Sequence, residues 1–345
     1  MSADRPIRLA INGYGRIGRC FLRALWASPL KSRFQVVLIN EPADLASMAY
    51  LTQFDSTHGR FAADINAGAN HMRIDGQRIA VTHAQTPEAV DWAAHQIDVL
   101  IECSGIYGQR SDLQRFIKAG CPRVLLSHPG HHADDVDATI VVGVNQDTLN
   151  DRVRLISAAS CTTNAVVPIL AVLQREIGLE QVLLTTLHSV MNDQPLIDGY
   201  HHSDLRRTRS AMQSIIPIST GLAKGVERLL PSLSGKVHAK AIRVPTLNVS
   251  AIDLTLSTTK PITANDINSL LAQAASGPLK QLLAYSEAAH ASIDFNHDPH
   301  SAIVDGSQTR TGGPHLVNLF VWFDNEWGFA NRMLDVLAHW QRHLH

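Results

Sequence analysis

Two kinds of apolar pattern alternate in the first part of the chain. Ile7 to Asn12 (IRLAIN) reads as a strand, and Phe21, Leu22, Leu25 and Trp26 recur at helical spacing within the stretch from Arg19 to Trp26. A second strand-like run, Phe34 to Asn40 (FQVVLIN), ends at Glu41. Val99 to Cys103 (VLIEC) and Arg123 to Ser127 (RVLLS) are short apolar runs that end in the loops Ser104-Gly105 and His128-Pro129-Gly130. Apolar runs of this length, joined by helical stretches, predict buried parallel strands whose carboxyl ends line one crevice.

The pattern changes near residue 160. Leu155 to Ser157 leads into Ser160-Cys161-Thr162-Thr163-Asn164 and then into a helical stretch, Ala165 to Leu173, with a kink expected at Pro168. Val182 to Leu187 (VLLTTL) reads as a strand ending at His188, and Ala241 to Thr246 (AIRVPT) as a strand carrying Arg243. Thr246 to Thr259 alternates with period two, Ile267 to Ala275 is helical, and Val317 to Phe323 is another strand. A last helix is expected over Phe329 to His343, with apolar residues at 329, 330, 333, 334, 337 and 340. Period-two strands following helix-linked apolar strands predict a second architecture from about residue 160 onward.

Chemistry attaches to two places in this pattern. Gly13-Tyr14-Gly15-Arg16-Ile17-Gly18 stands between a strand and a helix, with Glu41 at the end of the next strand. There Gly13 permits a tight turn, Gly15 lets the backbone approach a pyrophosphate, and Gly18 allows close helix packing. The helix N-terminus attracts the anion, and the carboxylate accepts from an adenosine ribose and repels a 2′-phosphate, favouring NAD over NADP.

The second place is Cys161, at the start of a helix beside the hydroxyls of Ser160 and Thr162. The positive end of the helix is expected to lower its pKa and favour the thiolate. His188, 27 residues on, is the candidate base, although spacing alone does not bring the two together. Arg243, in an apolar strand, is expected either in a salt bridge or on an anionic ligand.

Composition narrows the function. The chain has 345 residues, enough for two domains, with 45% hydrophobic and 18% charged residues and a net charge of -1. That balance disfavours a disordered chain or one that wraps a polyanion, so the basic cluster Arg206, Arg207 and Arg209 is read as a solvated face or a phosphate contact and not as a nucleic-acid surface. No apolar run approaches the ~18 residues that span a bilayer, and the N-terminal sequence enters a strand without signal-peptide regions; no membrane contact and a cytoplasmic location are expected. Cys20, Cys103, Cys121 and Cys161 show no metal or redox spacing and are expected as free thiols, all but Cys161 inert. His297, Asp298 and His300 lack the second-shell signals of a metal site, and no metal is assigned.

INGYGRIGR, SAASCTTN, LLTTLHSV, DLRRTR, IPISTGLAK, IRVPTLNVS and WFDNEWGFANRMLDVL resemble, in order and along essentially the whole chain, the phosphorylating glyceraldehyde-3-phosphate dehydrogenases. Within that family, NEPAD, FDSTHGRF, HSVMNDQ, FNHDPHSAIVDGSQTR and WGFANRM are more similar to the erythrose-4-phosphate dehydrogenases. The resemblance implies an α/β fold. A Rossmann-type NAD-binding domain would cover residues 1–160, completed by the C-terminal helix 325–345. An α+β catalytic domain with a mixed, largely antiparallel sheet would cover 161–324.

The resemblance also implies a homotetramer and a set of roles. Arg16 and Ile17 would bind the pyrophosphate through their backbone, Glu41 the adenosine ribose, and Asn325 the nicotinamide carboxamide, with Ser127 joining the cofactor set. Cys161 would be the nucleophile and His188 its activator, while Ser160, Thr162, Asp193, Arg207, Thr220, Gly221 and Arg243 would bind a sugar-phosphate substrate.

The chain departs from the glyceraldehyde-3-phosphate pattern at several points. Met191 replaces a threonine two residues before Asp193, which removes a hydroxyl from the phosphate site and fits a substrate whose phosphate lies one carbon further out. Glu41 replaces an aspartate and Phe329 a tyrosine, and an additional histidine, His201 or His202, lengthens the loop before Asp204; all three bear on cofactor affinity. The activity implied is NAD-dependent oxidation of D-erythrose 4-phosphate to 4-phosphoerythronate through a cysteine thioester, a step toward pyridoxal phosphate. The alternative is a phosphorylating glyceraldehyde-3-phosphate dehydrogenase.

Overall fold

The computed structural model describes residues 5–202 and 204–344. They form two compact units. One comprises the described chain up to Ile140, Asn145–Ser160 and the residues from Ala330 on; the other comprises Val141–Val144 and Cys161–Phe329.

The first unit holds a nine-stranded sheet in the order Ala138–Thr139, Leu155–Ser157, Val124–Leu126, Val99–Glu102, Ile7–Asn12, Phe34–Asn40, Gln77–Thr82, His71–Ile74, Ile65–Ala67. From Ala138–Thr139 through Gln77–Thr82 the strands run parallel, and the last two are antiparallel. Leu9, Ile11, Val36, Leu38, Leu100 and Leu125 are fully buried, as a sheet covered on both faces requires. The helix Arg16–Ala27 buries Phe21, Leu22 and Leu25. Each such side chain contributes about 1.5–3 kcal/mol on leaving water. The chain steps from Ile7–Asn12 to Phe34–Asn40 on one side, and Val99–Glu102 lies on the other. That reversal opens a crevice at the carboxyl ends of the central strands.

The second unit holds a seven-stranded sheet in the order Ile216–Ile218, Val237–Arg243, Leu179–His188, Ser250–Thr258, Leu316–Phe323, Ala302–Thr311, Leu283–Ser286. Two of its pairings are parallel and the rest antiparallel, so the sheet is mixed and largely antiparallel. His188 and Arg243 are register partners at the ends of two parallel strands, which sets their side chains next to one another.

Several elements differ in extent from the sequence reading. The first helix begins at Arg16 and not at Arg19, with Gly15 as its N-cap. The helix that starts at Cys161 runs to Glu176 with Pro168 inside it. Every residue from Thr162 to Leu170 is buried there, and tertiary packing carries the helix past the proline. The last helix spans Trp327–Trp340. Among the described residues no helix is long and apolar enough to cross a membrane.

Candidate active site

In the first unit the glycine turn closes on the chain after the fourth parallel strand. Gly13 has φ +83°, and a Cβ there would lie 2.4 Å from Ser104 N. A Cβ on Gly18 would lie 2.4 Å from Gly13 O. At Gly15 a Cβ would meet nothing within 4 Å, so the space over that residue is open to a ligand. The cleft beside it, about 260 Å³, is lined by Gly13, Gly15, Glu41 and Ser104 among others.

Glu41 pins the turn: its Oε2 accepts from Tyr14 N at 2.7 Å and its Oε1 from Ala43 N at 3.2 Å. A carboxylate has about four acceptor positions, so capacity remains for ribose hydroxyls. The Arg16 guanidinium pairs with Asp55 and so points away from the turn's backbone. Burial alone would raise Asp55, but the His58 amide and Arg16 hold it down at about 2. Ile17 is half-buried in the first turn of that helix, which has no side-chain cap. Its N-terminal amides and positive dipole end suit a pyrophosphate.

Under the crevice lies a row of polar groups that the sequence reading missed. Glu102 is fully buried, and burial pushes its carboxyl up to about 7 against the pull of Ser104 and Asn12. Asn12 Nδ2 donates to Glu102 at 2.6 Å, Asn40 Nδ2 to Asn12 Oδ1 at 2.8 Å, and Thr82 Oγ1 to Asn40 Oδ1 at 2.9 Å. Ser127 N donates to the Glu102 carbonyl at 3.0 Å, which ties the end of the next strand to the same row. The signal was present as a polar residue ending each of four apolar strands.

The glycines yield a paired expectation. Gly18→Ala should cost about 1–3 kcal/mol, because the new methyl meets backbone that has to shift. Gly15→Ala should leave stability within about 0.5 kcal/mol of wild type and weaken NAD binding about tenfold or more, since only a ligand occupies that space. Thermal unfolding and NAD titration of both variants check this; a Gly15→Ala protein that binds NAD normally would contradict a pyrophosphate at that residue.

In the second unit Cys161 is the first residue of its helix, with Ser160 immediately before it. Its Sγ lies 3.7 Å from His188 Nε2 and 3.9 Å from Thr162 Oγ1. On the other side of the ring, His188 Nδ1 is 2.8 Å from the Ser189 carbonyl and 2.7 Å from Arg243 Nη1. Burial and then the Arg243 cation lower the imidazole to about 4, so it is neutral at physiological pH. Burial pushes the Cys161 thiol up, against the Thr162 hydroxyl and amide and the Arg243 cation. This corrects the expectation of a depressed thiol at the helix start: removal from water outweighs the groups that favour the thiolate. The site at rest is a neutral thiol facing a neutral imidazole.

Around this pair stand the cations. Arg243 is buried, and among the described residues it has no ion-paired carboxylate, while its Nε has no hydrogen-bond partner. The salt-bridge half of the sequence alternative is therefore not realised. Arg207 Nη2 donates to Asp193 Oδ2 at 2.5 Å, and its buried Nε is also unpartnered. Thr220 and Gly221 are exposed at the start of the helix Leu222–Leu229, which packs against the Cys161 helix. Met191 is exposed, with its amide on Gln194 Oε1 at 3.0 Å.

Asn325 is buried, and its Oδ1 accepts from Ser189 Oγ at 3.0 Å and Ser250 Oγ at 2.8 Å. These contacts occupy its oxygen and leave its amide N–H edge to another partner. Asp324, which the sequence reading passed over, caps the last helix by accepting from Glu326 N at 3.0 Å and Trp327 N at 2.7 Å. Val249, next to Ser250, has φ +63°, a strained conformation for a β-branched residue. His300 Nδ1 lies 2.7 Å from Asp298, and His297 stacks on Trp327 at 4.2 Å.

Residues 7–110 match the family described as glyceraldehyde 3-phosphate dehydrogenase, NAD binding domain. Residues 160–325 match glyceraldehyde 3-phosphate dehydrogenase, C-terminal domain.

Proposed function

Because the chain belongs to the glyceraldehyde 3-phosphate dehydrogenase family and carries its NAD-binding domain, we propose that it oxidises D-erythrose 4-phosphate to 4-phosphoerythronate through a thioester on Cys161. The observation that supports a covalent aldehyde oxidation is the pairing of Cys161 Sγ with His188 Nε2 at 3.7 Å, beside a buried guanidinium. Bound NAD supplies the hydride acceptor. Gly13, Gly15, Arg16 and Ile17 would hold its pyrophosphate, Glu41 its adenosine ribose, Ser127 the crevice wall, and Asn325 its carboxamide, with Gly18 letting the helix pack close to the turn.

The chain's own groups move the protons. As the sulfur attacks the aldehyde carbon, the thiol proton passes to His188 Nε2 and then to the new oxyanion, giving a thiohemiacetal. Thr162 and the amides at the helix start stabilise that oxygen while it is charged. His188 next takes the hydroxyl proton as hydride departs from the same carbon, and a thioester remains. Water adding to the thioester breaks its C–S bond and releases the acid, and the proton held by His188 returns to the sulfur to restore the Cys161 thiol. Arg207, held by Asp193, and Arg243 would bind the substrate phosphate with Ser160, Thr220 and Gly221. On this reading residues 1–160 with the C-terminal helix 325–345 form the NAD domain and 161–324 the catalytic domain, in a cytoplasmic homotetramer.

The choice of a four-carbon substrate rests on Met191. A threonine there would add a hydroxyl donor to a phosphate near the reacting carbon; a thioether adds none. One hydrogen bond to a charged group is worth about 1.5–3 kcal/mol, roughly ten- to a hundredfold in selectivity. Wild type should therefore show the higher kcat/KM with erythrose 4-phosphate, and Met191→Thr should move the ratio toward glyceraldehyde 3-phosphate. A ratio that does not move would remove Met191 as the determinant.

A further inference from the structure

We propose that Arg243 is a positioning residue that holds His188 in the tautomer unable to take the Cys161 proton, and that a phosphate binding Arg243 releases the ring, so a phosphate-bearing substrate switches on its own nucleophile. The inference rests on the reading that Arg243 meets the substrate phosphate. Its warrant is a conflict at one atom. His188 Nδ1 lies 2.8 Å from the Ser189 carbonyl, which needs a donor, and 2.7 Å from Arg243 Nη1, which is a donor and needs an acceptor. A neutral imidazole nitrogen does one or the other, never both.

The two choices have opposite consequences at sulfur. When Nδ1 accepts from Arg243, the ring proton sits on Nε2 and points at Sγ, 3.7 Å away, where no lone pair is left for the thiol proton. When Nδ1–H donates to Ser189, the Nε2 lone pair faces the thiol. The charge-assisted contact from the guanidinium favours the first state at rest. Arg243 Nη1 is also 3.4 Å from the Ser189 carbonyl, so it competes for that partner as well.

Arg243 is poised to leave. It is buried, has no ion-paired carboxylate among the described residues, and keeps an unpartnered Nε, so an anion meeting that edge would satisfy a donor that nothing in the protein satisfies. Once Arg243 turns to the anion, the ring proton leaves Nε2 as Nδ1 gains one, and the imidazole stays neutral. The thiol proton then transfers to Nε2, giving thiolate and imidazolium with no other reactant. The groups that bear on the ring are Cys161 from the helix start, the adjacent Ser189 carbonyl, Arg243 from the neighbouring strand, the Phe323 ring edge, and the Asp193 and Glu326 carboxylates acting through space.

The test is the rate at which iodoacetamide, an uncharged reagent, alkylates Cys161, followed by peptide mass from pH 5 to 9 with inorganic phosphate or chloride at equal ionic strength. Phosphate should lower the apparent thiol pKa by about one unit and raise the rate below it about tenfold. Without the switch the sign reverses, because phosphate would mask a cation that favours the thiolate; an unchanged or slower rate overturns the proposal. The acceleration should vanish in Arg243→Met, which keeps apolar volume and loses the charge, and independently in His188→Asn. Persistence in either variant also overturns it. NAD reduction by sugar phosphates on the same wild-type sample separates the two ideas. Turnover without a phosphate effect on alkylation defeats the switch alone, and a phosphate effect without turnover defeats the substrate reading while supporting the switch.

Discussion

Cys161→Ala should lower NAD-linked aldehyde oxidation by more than about a thousandfold while leaving the circular dichroism spectrum and NAD affinity unchanged. Cys161 is the cysteine that meets His188, at 3.7 Å. Cys20 and Cys121 are buried and in no disulfide, and Cys103 is pushed up strongly by burial and by the neighbouring Glu102. Cys20 also has an imidazole within 4.8 Å, that of His58, but it is buried inside the helix Arg16–Ala27 and not at a helix start. Activity surviving in the variant above about a thousandth of wild type would mean that the aldehyde is oxidised without a covalent sulfur intermediate.

His188→Asn should slow pre-steady-state hydride formation by about 10²- to 10⁴-fold, the usual contribution of a general base, with a smaller change in substrate affinity. A merely structural histidine would leave the burst rate intact. The same substitution makes a prediction about stability in acid. His188 falls from an ordinary 6.5 to about 4 in the folded protein, so the unfolded chain binds the extra proton first. Its contribution to stability is present above pH 6.5 and is lost as the pH falls through about 4, by roughly 3 kcal/mol at most. Chemical denaturation of wild type should therefore worsen across that window relative to His188→Asn. Parallel pH profiles would show that the histidine is not buried in its neutral form.

The parts of this protein that were legible in the sequence are those with local signals. The run from Ile7 to Glu41 shows strand, glycine turn, helix, strand and acid in one unbroken stretch, and the packing around Gly13 and Gly18 follows from glycine alone. Cys161 was legible because a helix start is a local event. One local signal went unread: Asp75 at φ 48° and Gly76 at φ 80° form the Asp-Gly turn that joins His71–Ile74 to Gln77–Thr82. That hairpin carries the sheet to its antiparallel edge.

What was not legible is non-local. Arg243 and His188 are 55 residues apart, and only the register of two parallel strands makes them neighbours. Asn325 depends on Ser189, just past the end of one strand, and on Ser250, at the start of another, which no spacing connects. The thiol's direction was misjudged for a related reason. The helix start is visible in sequence, whereas the burial that outweighs it depends on what the fold packs around the sulfur.

The most direct measurement is initial NADH formation by the purified protein with erythrose 4-phosphate and with glyceraldehyde 3-phosphate, each with and without inorganic phosphate, and with the acid product identified. The account predicts NADH and 4-phosphoerythronate from the four-carbon aldehyde in phosphate-free buffer, at the higher kcat/KM. Preference for the three-carbon aldehyde, with turnover only when phosphate is present, would contradict it and make the protein a phosphorylating member of its family.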